Sequence, residues 1–234
     1  MKKNILLTIL LVFILVFTFG CAETNIEWPE EPLVGGDVDK YGCKASAGYN
    51  WCETKEECLR EWENPCPRNI TWDDPIFNLE INQHKLTKQY RVTIAKEGNT
   101  YTYPLRFHPD NITDISIEQD ITNQLNKDIL YITRAPDLYK TTNGDSSIAA
   151  LELGDLLTKF YNKKVKTAVT SEPSEGVEIK KCSDTSEDIT IIHLIDSNYN
   201  AVYSIEGCVI IEGKNLIASA DKLGYVLLNN LHNN

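Results

Sequence analysis

Ile189-Thr190-Ile191-Ile192-His193-Leu194-Ile195, Ala201-Val202-Tyr203-Ser204-Ile205 and Cys208-Val209-Ile210-Ile211-Glu212 are three apolar runs divided by turn-forming residues. Asn215, just after them, opens a stretch in which Leu216, Ala220, Leu223, Leu227 and Leu231 recur at helical spacing. The runs read as strands, and the stripe reads as the face of a helix that must pack on a sheet. The same change of period appears upstream. Val165–Thr170 reads as a strand. A helix ending near Tyr161 precedes it, capped by Ser146 or Ser147, with Ala149, Leu153, Leu156 and Phe160 on one face. Ile129–Thr133 reads as a buried strand before that helix, so a right-handed βαβ unit is expected. Ile115, Ile117, Ile121 and Leu125 predict a short helix near 117–126. Gln89–Ala95 and Thr100–Phe107 alternate around Glu97-Gly98-Asn99, which predicts a hairpin. Ser171 to Asp188 reads as an acidic loop. The expected fold class is α+β or α/β. A small disulfide-stapled N-terminal module precedes an α/β domain with a mixed sheet and at least two packed helices.

The chain begins Met1-Lys2-Lys3-Asn4, followed by an apolar run from Ile5 to Gly20 and then Cys21. A basic start, a short apolar stretch and a terminal cysteine read as an export leader whose cysteine carries lipid. The ending resembles the lipobox of prokaryotic lipoproteins; Gly20 and Thr18 suit that pattern, and the bulky Phe19 departs from it. An intact N-terminal helical anchor is the alternative. Either way the remainder is expected to be extracytoplasmic and anchored to the cell membrane.

Compartment governs how the cysteines are read. There are seven of them. With Cys21 spent on lipid, Cys43, Cys52, Cys58, Cys66, Cys182 and Cys208 remain, an even set able to pair fully. The economical arrangement is two bridges within 43–66, with Cys43–Cys58 and Cys52–Cys66 favoured among three connectivities, and a third from Cys182 to Cys208. A zinc site is disfavoured, because no C-x2-C pair exists and no histidine lies near the cluster.

The expected organisation is a leader over 1–20, an acidic tether over 21–34, a cysteine-rich module over 35–66, a linker over 67–75 and the α/β domain over 76–234. The module is too small for a conventional core and depends on its bridges and tryptophans. Gly48–Cys52 and Glu57–Arg60 suggest a short hairpin inside it.

Gly35-Gly36-Asp37-Val38-Asp39, Gly42-Cys43, Ser46-Ala47-Gly48-Tyr49, Trp51-Cys52, Cys58, Trp62-Glu63 and Cys66 resemble a small cysteine-rich module of exported prokaryotic proteins, many of them lipoproteins. Tyr131-Ile132-Thr133, Pro136-Asp137, Ser147–Leu153, Tyr203–Gly213 and Leu216–Leu223 are similar to a domain of uncharacterised exported archaeal proteins. Neither resemblance implies a catalytic residue or a cofactor.

Few residues carry a recognisable chemical motif. No G-x-S-x-G, H-E-x-x-H or phosphate-binding glycine loop occurs. His193 shares a strand face with Ile189, Ile191 and Ile195 and reads as a core histidine. Asp37 and Asp39, in Asp37-Val38-Asp39-Lys40-Tyr41-Gly42, resemble part of a calcium loop; a plain turn closed by Asx bonds explains them as well. Tyr41, Tyr49, Trp51 and Trp62 offer an aromatic surface for a cell-surface protein or glycan. Asn69 and Asn111 head sequons able to carry glycan. The formal net charge of −11, made more negative by two when Lys2 and Lys3 leave with the leader, repels nucleic acid.

The reading is a lipid-anchored cell-surface protein with a non-catalytic binding or envelope-structural role, contacting the membrane through lipid or an N-terminal helix. The alternatives are an extracytoplasmic hydrolase, built on His193 or His108 with a carboxylate in a pocket, and a protease-inhibitor-like module presenting an exposed loop near Lys44 or Lys55.

Overall fold

The structure is a computed structural model, and it describes residues 38–68, 70–73, 75, 77–172 and 176–233. The leader, the tether, Cys21, Asp37 and Asn69 lie outside the described residues. The chain divides between Ala47 and Gly48 into two compact units. In the first, Val38 and Lys44 form a β-bridge and Ala45–Ala47 make one 3-10 turn. Asp39 Oδ1 accepts hydrogen bonds from the backbone N–H of Tyr41 and of Cys43, both at 2.9 Å, which is the Asx closure of a turn.

The second unit holds the strands β1 (Asn50–Cys52), β2 (Glu57–Leu59), β3 (Trp72–Asp73), β4 (Glu80–Gln83), β5 (Tyr90–Lys96), β6 (Asn99–Leu105), β7 (Ser116–Glu118), β8 (Ile129–Arg134), β9 (Lys164–Val169), β10 (Glu178–Ile179), β11 (Ile189–Asp196), β12 (Ala201–Ile205) and β13 (Cys208–Gly213). Its helices are α1 (Leu138–Thr141), α2 (Asp145–Tyr161) and α3 (Leu216–Asn233). Among the described residues these strands form a mixed eight-stranded sheet of order β10-β9-β8-β11-β13-β12-β7-β3, an antiparallel sheet β4-β5-β6 and the hairpin β1-β2. The α+β expectation holds. β8 is parallel to both β9 and β11, and β11 is parallel to β13. The hairpin β12-β13 turns through Glu206-Gly207, both at positive φ, a geometry that glycine adopts without a Cβ penalty.

Strand alternation sorts the core into two layers. Leu130, Ile132, Ile192, Leu194, Val202, Val209 and Ile211 face α2 and α3, and Val92, Ile94, Tyr103 and Leu105 of the three-stranded sheet join the same cluster. The helices are therefore apolar on more than one side, and α3 is buried from Leu216 through Tyr225. Tyr131, Ile191, Ala201, Tyr203, Cys208 and Ile210 point to the opposite face, where Ile70, Trp72 and Cys182 pack on them.

Three expectations are corrected. The segment 117–126 is not one helix: β7 is followed by a 3-10 turn, Ile121–Leu125. Its four apolar residues are all buried as the spacing suggests. However, Ile115 and Ile117 follow the period of a strand, and Asp120, at φ 60, turns the chain before Ile121. The helix α2 begins on Gly144 without a side-chain cap, and Ser146 is a buried first-turn residue bonded to Thr142. The acidic segment 171–188 is not wholly loop. Ile179 carries β10 onto β9, and Cys182–Asp184 form a 3-10 turn.

Candidate functional site

The six cysteines beyond Cys21 are all disulfide-bonded; Cys52 pairs with Cys66 and Cys182 with Cys208. These bridges fit an oxidising, extracytoplasmic environment. No helix among the described residues is long and apolar enough to cross a membrane. In the chain-entropy view, bridging separations of 14 and 26 residues stabilises the fold by about 3 to 4 kcal/mol each.

The sequence-derived candidates scatter. His193 sits between Thr133 of β8 and Ile210 of β13, with its Nδ1 4.0 Å from Cys182 Sγ. Burial lowers its pKa to about 4, so it is a neutral core residue at pH 7. His108 caps a 3-10 turn, accepting from the N–H of Asp110. Asn111 is exposed at the end of that turn. Trp62 is exposed, and its ring occupies the space that a Cβ on Gly48 would need. Tyr49 stacks on the Arg60 guanidinium. Tyr41 is exposed and Trp51 half-buried. Lys44 is exposed, but the Lys55 side chain is fully buried, so the loop at Lys55 does not present that lysine to a protease. No group of three or more His, Cys, Asp or Glu side chains among the described residues is placed to hold a metal ion.

Two features were not singled out in the sequence. The first joins the second half of the cysteine-rich segment to the sheet. Lys55 Nζ donates to Glu212 Oε2 at 2.7 Å and to Asn64 Oδ1 at 2.6 Å, with the rings of Tyr199 and Tyr203 within 6 Å. Tyr203 donates its hydroxyl to Pro65 O. Burial pushes the Glu212 carboxyl up and the Lys55 ammonium down, and the charge of each partner opposes the shift of the other. The ion pair is a latch, since both charged groups are consumed by each other.

The second is a cleft of about 310 Å³ at the C-terminal ends of β8, β9 and β11. Ile132 and Arg134 reach it from β8, Thr167 and Val169 from β9, Leu194 from β11, and Ser147, Ala150 and Leu151 from α2, with Tyr139 of α1 at the margin. The sheet topology makes this place. From β8 the chain crosses through α2 to β9 on one side, whereas β11 and β13 lie on the other, and such a reversal leaves a crevice beyond the strand ends. Arg134 is the charged lining residue, and its Nε is buried without a hydrogen-bond partner. Desolvation lowers its pKa, and Tyr139 opposes that shift. A charged residue ending an otherwise apolar strand, as in Tyr131-Ile132-Thr133-Arg134, is the sequence signal that marks such a position; Glu212, one residue before the end of β13, is placed similarly.

A further hollow of about 350 Å³ is lined by Glu61, Pro65, Cys66, Arg68, Ser204, Ile205 and Glu206. Its arginine is already paired, Arg68 to Glu61 at 2.6 Å. Neither His108 nor His193 lines either space. No protein-family model, curated protein or solved structure matches the chain.

Proposed function

We propose that this chain is a lipid-anchored cell-surface protein that binds a small molecule without transforming it. The observation that carries the binding half is the cleft beyond β8, β9 and β11. It has the size of a small-molecule site and a mostly apolar lining interrupted by a few convergent polar groups. The non-catalytic half is supported by what lines it. Ser147, Thr167 and Tyr139 supply the hydroxyls, and no histidine or carboxylate among the described lining residues stands beside them as a base. The anchoring half rests on the leader pattern ending at Cys21, supported by the likeness of residues 35–66 to a module of exported prokaryotic proteins and by disulfides that require an oxidising space.

The test has two parts. Intact-mass measurement of membrane-extracted protein should show a mature chain starting at Cys21 with a diacylglycerol-type addition. A chain retaining Met1–Gly20 would replace the lipid with a helical anchor. Nuclear magnetic resonance titration with 3-phenylpropanamide, a neutral amphiphile of suitable size, should move resonances of Tyr139, Ser147 and Leu151 saturably. Hydrolysis of p-nitrophenyl acetate that is abolished by Ser147→Ala would assign the cleft to a hydrolase instead.

A further inference from the structure

We infer that the cleft selects a small organic carboxylate, with the anion on the Arg134 guanidinium and an apolar body against Tyr139 and Leu151. This inference rests on the cleft being the binding site proposed above and adds the ligand's chemical class.

Charge is the first argument. The chain carries 34 acidic and 23 basic side chains, yet the charged residue lining this cleft is an arginine. Of the other four arginines, Arg60, Arg68 and Arg106 pair with Glu63, Glu61 and Glu152, and Arg91 is exposed to water. Arg134 has no ion pair among the described residues, and its Nε is withdrawn from water with nothing to donate to. A half-buried guanidinium without an acceptor is costly, and a carboxylate arriving in the cleft supplies one to its two terminal nitrogens, the buried Nε itself being out of a ligand's reach. The guanidinium fork matches a carboxylate in two parallel hydrogen bonds, a fit that a lysine does not offer.

Shape is the second argument. Arg134 shares its strand face with Ile132, which paves the cleft together with Leu194 and Val169. Leu151, on the exposed side of α2, and Tyr139 are large apolar side chains left open to solvent, 68% and 44% exposed, at the cleft's margin. An inorganic anion would use the arginine and leave these surfaces wet. An anion carrying a ring or short alkyl body covers both.

Isothermal titration calorimetry on the extracted protein with 3-phenylpropionate, 3-phenylpropanamide and inorganic phosphate tests this. The acid should bind saturably and about tenfold to hundredfold more tightly than its amide, the range a charge-assisted bond supplies. Phosphate should bind more weakly than the acid. Arg134→Met should weaken the acid about tenfold to hundredfold and the amide far less, bringing the two affinities together. Arg134→Lys, which keeps the charge and loses the fork, should fall between, and it serves as the variant if Arg134→Met does not fold. Equal affinity for acid and amide, or acid binding untouched by either substitution, overturns the carboxylate inference while the binding cleft stands. Phosphate binding as tightly as the acid overturns the apolar body. Absence of saturable binding by acid and amide alike overturns the inference and the binding reading together.

Discussion

On one face of the eight-stranded sheet, two long helices lay Leu153, Leu156, Leu157, Leu216, Leu223 and Leu227 against Leu130, Ile132, Ile192 and Leu194, and the three-stranded sheet closes over them. On the other face there is no long helix among the described residues. Short irregular segments cover it: the β1-β2 hairpin through Lys55, the stretch after it through Pro65, Trp72 stacked edge-on against Tyr199 and Tyr203, and the turn at Cys182. The first covering buries enough continuous apolar surface to hold itself in place. The second does not, and it is fastened at points by the Lys55–Glu212 pair and by Cys182–Cys208. The difference shows how a chain closes a sheet with segments that have too little apolar surface of their own.

The comparison breaks most sharply at Lys55. Lys55→Met leaves Glu212 buried with its partner gone, and the expected cost is about 3–5 kcal/mol in urea unfolding monitored by tryptophan fluorescence. Adding Glu212→Met should recover most of that loss, because an apolar pair of similar volume needs no desolvation. A double variant as unstable as the sum of its singles would mean that the two charges are not coupled and that the face is held by packing alone.

One buried group on each face responds to pH, and the two respond with opposite signs. Asp221 lies in the helix layer, where its Oδ2 accepts from the N–H of Arg106 and Phe107 at 2.8 and 2.9 Å, and burial raises its pKa from 3.8 to about 7. Between pH 4 and pH 7 the folded chain holds a proton there that the unfolded chain has lost, so this group's contribution falls as pH rises. His193 lies on the other face with its pKa lowered from 6.5 to about 4. There the unfolded chain binds the extra proton, so the contribution is present above pH 6.5 and is lost as pH falls toward 4. Each shift corresponds to roughly 3–4 kcal/mol at 1.36 kcal/mol per unit. The two nearly cancel from pH 4 to 6.5 in the native sequence. Asp221→Asn should leave a stability that rises with pH over that window, and His193→Gln one that falls. The raised Glu212 adds to the falling limb in all three proteins. Thermal unfolding across the window reads the slopes, and parallel profiles for the two variants would remove the assignment of opposite signs to Asp221 and His193.

How legible each face was follows from the same contrast. Long periodic segments announce themselves: the stripe from Leu216 to Leu231 and the runs at 189–195 and 208–212 specify α3, β11 and β13 closely, because burial against a sheet demands a repeat that composition alone displays. The irregular covering has no repeat to read. Neither the lysine in Glu53-Thr54-Lys55-Glu56 nor the carboxylate in Ile210-Ile211-Glu212 names its partner, which lies 157 positions away. The cleft was hidden for a related reason. Arg134, Tyr139 and Ser147 follow no motif spacing; the reversal of strand order at β8 brings them together, and that reversal depends on which strands pair. Asp120 and Gly144 show the local limit, since a left-handed residue redirects β7 and starts α2 where side-chain capping rules favour other positions.

The smallest effect falls on the better-defended face. Asn215 precedes α3, and its Oδ1 accepts the N–H of Ala218 at 3.1 Å, satisfying one of the donors that a helix start leaves open. Asn215→Ala should cost about 1 kcal/mol, the ordinary worth of such a cap. The rest of α3 is anchored along its length by Leu216, Leu223 and Leu227, so the loss should appear as faster amide exchange confined to residues 216–219, with the helix beyond unchanged. A loss of several kcal/mol, or exchange spreading to Leu227, would mean that the helix layer is also held at a point, and that the two faces of the sheet are fastened in the same manner.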